Sequence, residues 1–202
     1  MGMIKRWYIA FGVCCLLLMT GCGGPRIGVY TISLQDVETS PLAPTRDMMF
    51  STAGQPDGTT QYIYEDPSVR ITWKMTNTRF GFLLENLTAD TLTVDWEQAS
   101  YINQDRDTLR VIHDGIDFSV KDSVQQITVV PPLGSLEDFL LPSSNIYYDP
   151  DNFTLWRINY LFFNRKGNVG QNVAVELPMT IGGISYRYRF RFMIEDWKDV
   201  AF

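Results

Sequence analysis

Ile184-Ser185-Tyr186-Arg187-Tyr188-Arg189-Phe190-Arg191-Phe192-Met193-Ile194 alternates throughout: even positions are apolar and odd positions are mostly polar. An extended chain points successive side chains to opposite faces, so this stretch reads as a strand with one face in a core and the other in water. Val173 to Ile181 precedes it, separated by Gly182-Gly183, a two-residue loop able to take the positive φ values that tight hairpins need. Pairing across that loop sets Met179 against Tyr186, Leu177 against Tyr188, Val175 against Phe190 and Val173 against Phe192, with Glu176 facing Arg189 on the wet side. Turn, alternation and charge agree on one register. Pro178 falls opposite Arg187 with its missing N–H directed away from the hairpin partner, which predicts an edge strand or a bulge.

A second hairpin is expected from Val69–Met75 to Phe80–Glu85 through Asn77-Thr78. It pairs Met75, Trp73 and Ile71 with Phe80, Phe82 and Leu84, and Arg70 with Glu85. Leu92, Val94 and Trp96 mark a further strand, and weaker candidates are Ile27–Leu34, Thr60–Tyr64, Leu109–Ile112, Ile116–Val120, Gln126–Val130 and Leu155–Phe163. These predict an all-β, antiparallel two-sheet β-sandwich, immunoglobulin-like in the broad sense. Helix is scarce. Ser135-Leu136-Glu137-Asp138 has the form of a capping box between Pro131-Pro132 and Pro142, which predicts a turn or two over Leu136–Leu141. That stretch would be a lid over one open end of the sandwich or, if exposed, a docking surface. Gln35–Thr59, rich in proline, glycine and polar residues, reads as a long loop or a loosely held meander.

The amino-terminal end has a different grammar. Lys5 and Arg6 precede the apolar stretch Trp7 to Met19, too short to span a bilayer as a permanent helix, and Met19-Thr20-Gly21-Cys22 ends it. This resembles the lipobox signal peptide of bacterial lipoproteins, in which the cysteine is acylated and becomes the new amino terminus. The resemblance implies removal of residues 1–21, a lipid anchor and short tether at 22–26, and one β domain over 27–202. Cys22 is then the lipid-attachment residue, and the bilayer is the first partner. Several acyl chains, at about 0.8 kcal/mol per buried methylene, would make that anchoring effectively permanent. Gly23, where aspartate would signal retention at an inner membrane, resembles the export pattern for an outer membrane if the host has two. The tether Gly23-Gly24-Pro25-Arg26 reaches little more than about 13 Å at about 3.3 Å per residue, so the domain would ride close to the bilayer.

Processing takes Cys14 and Cys15 away and consumes Cys22, leaving no thiol for a disulfide. Losing Lys5 and Arg6 leaves 15 basic residues against 23 acidic ones, a net charge of −8. An acidic product is a poor partner for nucleic acid or an anionic membrane surface. About 180 residues, 45% apolar over the whole chain, suffice for one core held by packing alone.

Candidate chemistry is sparse. His113, the only histidine, stands beside Asp114 and would serve as a base in a hydrolase, but no Gly-x-Ser-x-Gly turn accompanies it. One imidazole without thiols falls short of a zinc site, and neither metal nor cofactor is expected. Asn103-Gln104-Asp105-Arg106-Asp107, with Asp114 beyond, spaces oxygens as a calcium loop does, but Thr108 stands where the bend needs glycine. A polar hairpin loop is the favoured reading there, and a turn at Asp149-Pro150-Asp151-Asn152. Asn86-Leu87-Thr88 formally matches a glycosylation acceptor. The stripe Arg187, Arg189, Arg191 is a basic patch on an acidic protein: a surface for an anion or a partner, or a solvated face neutralised by carboxylates such as Glu176. The aromatics Trp73, Phe80, Phe82, Trp96, Trp156, Tyr160, Phe162, Tyr186, Tyr188, Phe190 and Phe192 read as core before they read as a ligand groove.

Leu83-Leu84-Glu85-Asn86-Leu87-Thr88 through Leu92-Thr93-Val94-Asp95-Trp96 resembles, over this short span, sandwich domains of the late-embryogenesis and hypersensitive-response type. The expectation is a non-enzymatic, membrane-anchored cell-envelope lipoprotein that binds or scaffolds a partner protein or envelope component. The alternative is an envelope hydrolase or glycan-processing enzyme using His113 with Asp105, Asp107 and Asp114.

Overall fold

Val173, Val175, Leu177 and Met179 pair with Phe192, Phe190, Tyr188 and Tyr186, the register expected from alternation, in a computed structural model that describes residues 28–41, 49–54, 60–151, 155–162 and 165–199. The described strands are, in chain order, β1 (Gly28–Ser40), β2 (Met49–Gly54), β3 (Thr60–Glu65), β4 (Val69–Met75), β5 (Phe80–Asn86), β6 (Leu92–Val94) and β7 (Ser100–Ile102). They continue with β8 (Thr108–Ile112), β9 (Thr128–Val130), β10 (Ser135–Pro142), β11 (Ile146–Tyr148), β12 (Trp156–Ile158), β13 (Asn172–Ile181) and β14 (Ile184–Asp199). One compact unit spans Tyr30–Trp197; of the other, residues 1–29 and 198–202, only 28, 29, 198 and 199 are described, as strand ends. Cys22 and the stretch read as signal peptide and tether lie outside the described residues.

The fold is all-β and antiparallel. Twelve strands form one curled sheet in the order β1-β14-β13-β7-β8-β10-β5-β4-β3-β2, with β6 on β13 and β9 on β6; β11 and β12 form a separate pair. Gly182 and Gly183 turn the β13–β14 hairpin at φ +55° and +82°, as a type I′ loop requires. In the β4–β5 hairpin, pairing runs from Val69↔Asn86 to Met75↔Phe80, as expected. Its turn uses threonine as a clamp: Thr76 Oγ1 accepts from the backbone N–H groups of Thr78 and Arg79.

Alternation on β4, β5 and β14 drives one face of each strand into a shared aromatic core. Trp73 lies with its ring centroid 5.0 Å from Phe190, 5.4 Å from Phe82 and 5.5 Å from Phe192, and Phe80 lies 5.4 Å from Phe192. Such ring pairs add directional attraction to the area they bury. Tyr160 departs from the expectation and is about half exposed, while Trp156 and Tyr186 are half-buried. Inside the same core sits one carboxylate. Asp66, 2% exposed, accepts from Tyr64 (3.0 Å) and Tyr188 (2.9 Å) and from the backbone N–H groups of Ser68 (2.7 Å) and Val69 (2.8 Å). Burial, then the charge of Asp66 and the hydrogen bond to it, push both phenols well above the ordinary tyrosine range.

Several expectations are corrected. Leu136–Leu141 is neither helical turn nor lid but part of β10, paired with β5 from Ser135↔Glu85 to Leu140↔Phe80 and with β8 at Leu141↔Ile112 and Pro142↔Val111. A local capping signal offers a helix only its ends, whereas the ladder satisfies the backbone along the segment and buries Leu140 and Leu141. Gln35–Thr59 is not simply a loop: β1 runs to Ser40, and β2 pairs with β3 from Met49↔Glu65 to Gly54↔Thr60. Strand β13 is interior instead of an edge. β7 pairs with it up to Glu176 and β6 from Met179, and Pro178 sits in the gap, its carbonyl accepting from Asp95 N–H. Ile116–Val120 is not a strand. Asp117 caps a 3-10 turn over Phe118–Val120 by accepting from Ser119 N–H and Oγ.

Candidate functional site

The outward face of β14 carries the arginine stripe, and each arginine meets a different neighbour. Arg189 lies opposite Glu176 in the ladder and its Nε donates to Glu176 Oε1 at 2.9 Å; Ser100 Oγ on β7 donates to the other oxygen at 3.4 Å. Arg191 reaches the other way, to β1, where Nη1 is 3.1 Å from Asp36 Oδ2 and Nη2 donates to Glu38. Arg187 faces Pro178, which offers no charge, and is exposed with no ion pair among the described residues. It borders a hollow of about 350 Å³ with Asp95, Gln98 and Tyr186. On β8 the pattern continues with Arg110, whose Nη2 lies 2.7 Å from Glu97. That side-chain bond, then Gln125 N–H, hold the Glu97 carboxyl below its usual range.

Beside Arg189 and Arg191 the face opens into a groove of about 660 Å³. Its floor is low because the small Ala174 occupies the ladder position between Arg191 on β14 and Ile102 on β7. One wall is the β7–β8 loop, with Asn103, Gln104 and Arg106; the other is Gln171 and Asn172, leading into β13. Asn103 builds the first wall: its Oδ1 accepts from Asp105 N–H (2.9 Å) and Asp107 N–H (2.8 Å), and its Nδ2 donates to Asp107 Oδ2 (3.1 Å). Arg106 stands at φ 70°, the left-handed step that closes the loop. The expected polar hairpin loop is therefore present, and the asparagine oxygen that a calcium loop would need is occupied by backbone N–H groups. Among the described residues no three histidine, cysteine or acidic side chains gather as a metal site.

His113 lies past the far end of β8 from that loop. Its Nδ1 is 3.2 Å from Asp138 Oδ2, Asp114 N–H donates to Asp138 Oδ1 at 2.7 Å, and Trp96 stacks on the imidazole at 4.2 Å with the rings 5° from parallel. Asp105 and Asp107 are separated from His113 and Asp114 by the whole of β8, about 17 Å of strand, so the four do not converge. Asp149 accepts from Asp151 N–H at 3.2 Å as a turn residue and pairs with Arg157 at 2.6 Å; Asn152 lies outside the described residues. Asn86, in the formal glycosylation match, is buried and fully engaged: Nδ2 donates to the carbonyls of Asp90 and Pro131, and Oδ1 accepts from Thr88 N–H and Oγ1.

Sequence reasoning picked out the stripe but missed the groove, since Asn103, Gln104 and Arg106 are about seventy positions from Gln171 and Asn172 and meet only through the β7–β13 ladder. It also missed Asp66 and Asp138. The available signal for Asp138 was parity: it shares a strand face with Leu136 and Leu140, so a carboxylate there must find a buried partner. Comparison with known families, curated proteins and solved structures finds no match.

Proposed function

We infer that this chain is a lipoprotein of the cell envelope, fixed to a bilayer through acylated Cys22, whose β domain binds or scaffolds a partner protein or envelope component without catalysing a reaction. The observation that carries the reading is the order Lys5-Arg6, apolar Trp7 to Met19, then Met19-Thr20-Gly21-Cys22. Gly23 after the cysteine favours an outer membrane where the host has two. The domain reads as a two-layer sandwich, immunoglobulin-like in the broad sense, because the inner face of β3–β5 packs on that of β14 through Tyr64, Trp73, Phe190 and Phe192. A binding role is supported by the polar groove and by the separation of His113 from the loop carboxylates. Metabolic labelling with radioactive palmitate tests the anchor. Label in the wild type, lost in Cys22→Ser with release from the membrane fraction, is expected; an unlabelled wild-type chain sinks it. A pull-down from detergent-solubilised envelopes tests binding, and recovery of the protein alone counts against it.

The His113–Asp138 pair favours one second reading, since a carboxylate on Nδ1 orients an imidazole as hydrolase bases are oriented. That reading requires hydrolysis of an envelope substrate that falls by at least about a hundredfold in His113→Ala. Unchanged turnover removes it.

A further inference from the structure

We propose that the groove between the β7–β8 loop and the outward face of β13–β14 binds an acidic polysaccharide, a sugar chain carrying carboxylate or phosphate groups; this rests on the binding role above and names its ligand. The charge pattern of the lining leads there. Arg106, Arg189 and Arg191 border the groove with Asn103, Gln104, Gln171, Asn172 and Thr108, and no carboxylate does, in a chain of net charge −6. The acids that hold two of the arginines approach from outside the lining: Glu176 takes only Nε of Arg189, and Asp36 and Glu38 take Arg191 from β1. The Nη groups of Arg189 and the whole guanidinium of Arg106 make no hydrogen bond among the described residues. Planar, multiply donating guanidinium groups match carboxylate and phosphate oxygens.

The rest of the lining selects the carrier of those charges. The side-chain amides of Gln171 and Asn172, the Gln104 Nε2 and the Thr108 hydroxyl border the groove as groups able to hydrogen-bond, as a run of sugar hydroxyls requires, while Asn103 is taken up within its own loop. The apolar lining is only Ile102, Val173 and Ala174, with no aromatic ring, so an apolar peptide anchor finds no pocket.

The test measures retention of the full-length lipidated protein, held in mild detergent, by immobilised polygalacturonate, phosphomannan, neutral dextran and polyglutamate. Binding to polygalacturonate or phosphomannan but not dextran, weakened by salt, is expected, and which of the two binds tells carboxylate from phosphate. Arg106→Gln, which breaks no side-chain hydrogen bond or ion pair among the described residues, should weaken it several-fold, and Arg106→Gln with Arg189→Gln by about tenfold or more. Arg187→Gln, outside the groove, should leave it unchanged. Circular dichroism confirms that each variant is folded. No retention on either acidic glycan, equal retention on dextran, stronger retention on polyglutamate, or indifference to Arg106→Gln overturns the proposal. Failure on glycans with a partner still recovered from envelopes removes this ligand and leaves the anchored binder standing; an unlabelled Cys22 removes the anchor and leaves the groove result untouched.

Discussion

Tyr188 and Arg189 are neighbours in sequence, and each meets a carboxylate, but on opposite faces of β14. Tyr188 donates at 2.9 Å to Asp66, which is buried and also receives Tyr64 and two backbone N–H groups. Arg189 donates at 2.9 Å to Glu176, with side chains 41% and 14% exposed. The distances are the same, but the consequences differ. Water screens the outer pair and hydrates its members when they part, whereas no water replaces a donor lost from Asp66. One strand therefore holds a fixed inner face and an adjustable outer one.

The largest break in that contrast should come from the inner face. Phe190→Ala removes the ring that packs on Trp73 and Tyr64, and about 4 kcal/mol of stability should disappear in denaturant unfolding. Asp66→Ala strands two phenols and two backbone N–H groups, with an expected loss of about 3 kcal/mol; a loss below 1 would mean that the hub relaxes onto other partners. Alkali probes the same hub without mutation. Phenol values raised in the fold mean that the unfolded chain, ionising near pH 10, binds fewer protons than the folded one, so stability is full below about pH 10 and falls above it. Tyr64, Tyr188 and Tyr101, the last raised by burial alone, should all contribute, and tyrosinate absorbance should appear together with unfolding.

Smaller effects belong to the outer face. A double-mutant cycle on Arg189→Ala and Glu176→Ala should give a coupling of about 1 kcal/mol or less, reduced by salt. Glu97 has the opposite sign to the tyrosines: its carboxyl is held low chiefly by Arg110, so its contribution is present above the ordinary glutamate range and is lost as pH falls through the lowered value. A slight acid-side loss that vanishes in Arg110→Gln would confirm it.

The β13–β14 hairpin was legible because the turn Gly182-Gly183, the apolar face and the charge pair Glu176↔Arg189 each specify the register; in the β4–β5 hairpin the apolar face and Arg70↔Glu85 carried it, since threonine in Asn77-Thr78 is a poor residue for a tight turn. β10 was not legible, because Ser135-Leu136-Glu137-Asp138 satisfies a helix-capping pattern, and the partner that overrides it, β5, lies about fifty residues earlier. The same limit applies to the site. Arg189 and Arg191 declare themselves on a strand, but Gln104, Arg106 and Gln171 come from loops, and Asn172 only opens β13, so their meeting depends on β7 joining β13. Polar residues in loops carry no period from which a neighbour can be inferred.

The place of β14 beside β1 has a consequence for the order of folding. Ser33 bonds Glu195 and Asp36 pairs with Arg191, so the first strand of the body finds its partner only when the last one exists. Pairing across the 162 positions between Ser33 and Glu195 is slow, because the entropy of closing so long a loop is lost before the contacts form. The hairpins from β2 to β5 close over short loops, whereas the β1–β14 seam must wait on a long-range encounter, so it should be among the last parts of the sheet to gain protection in refolding.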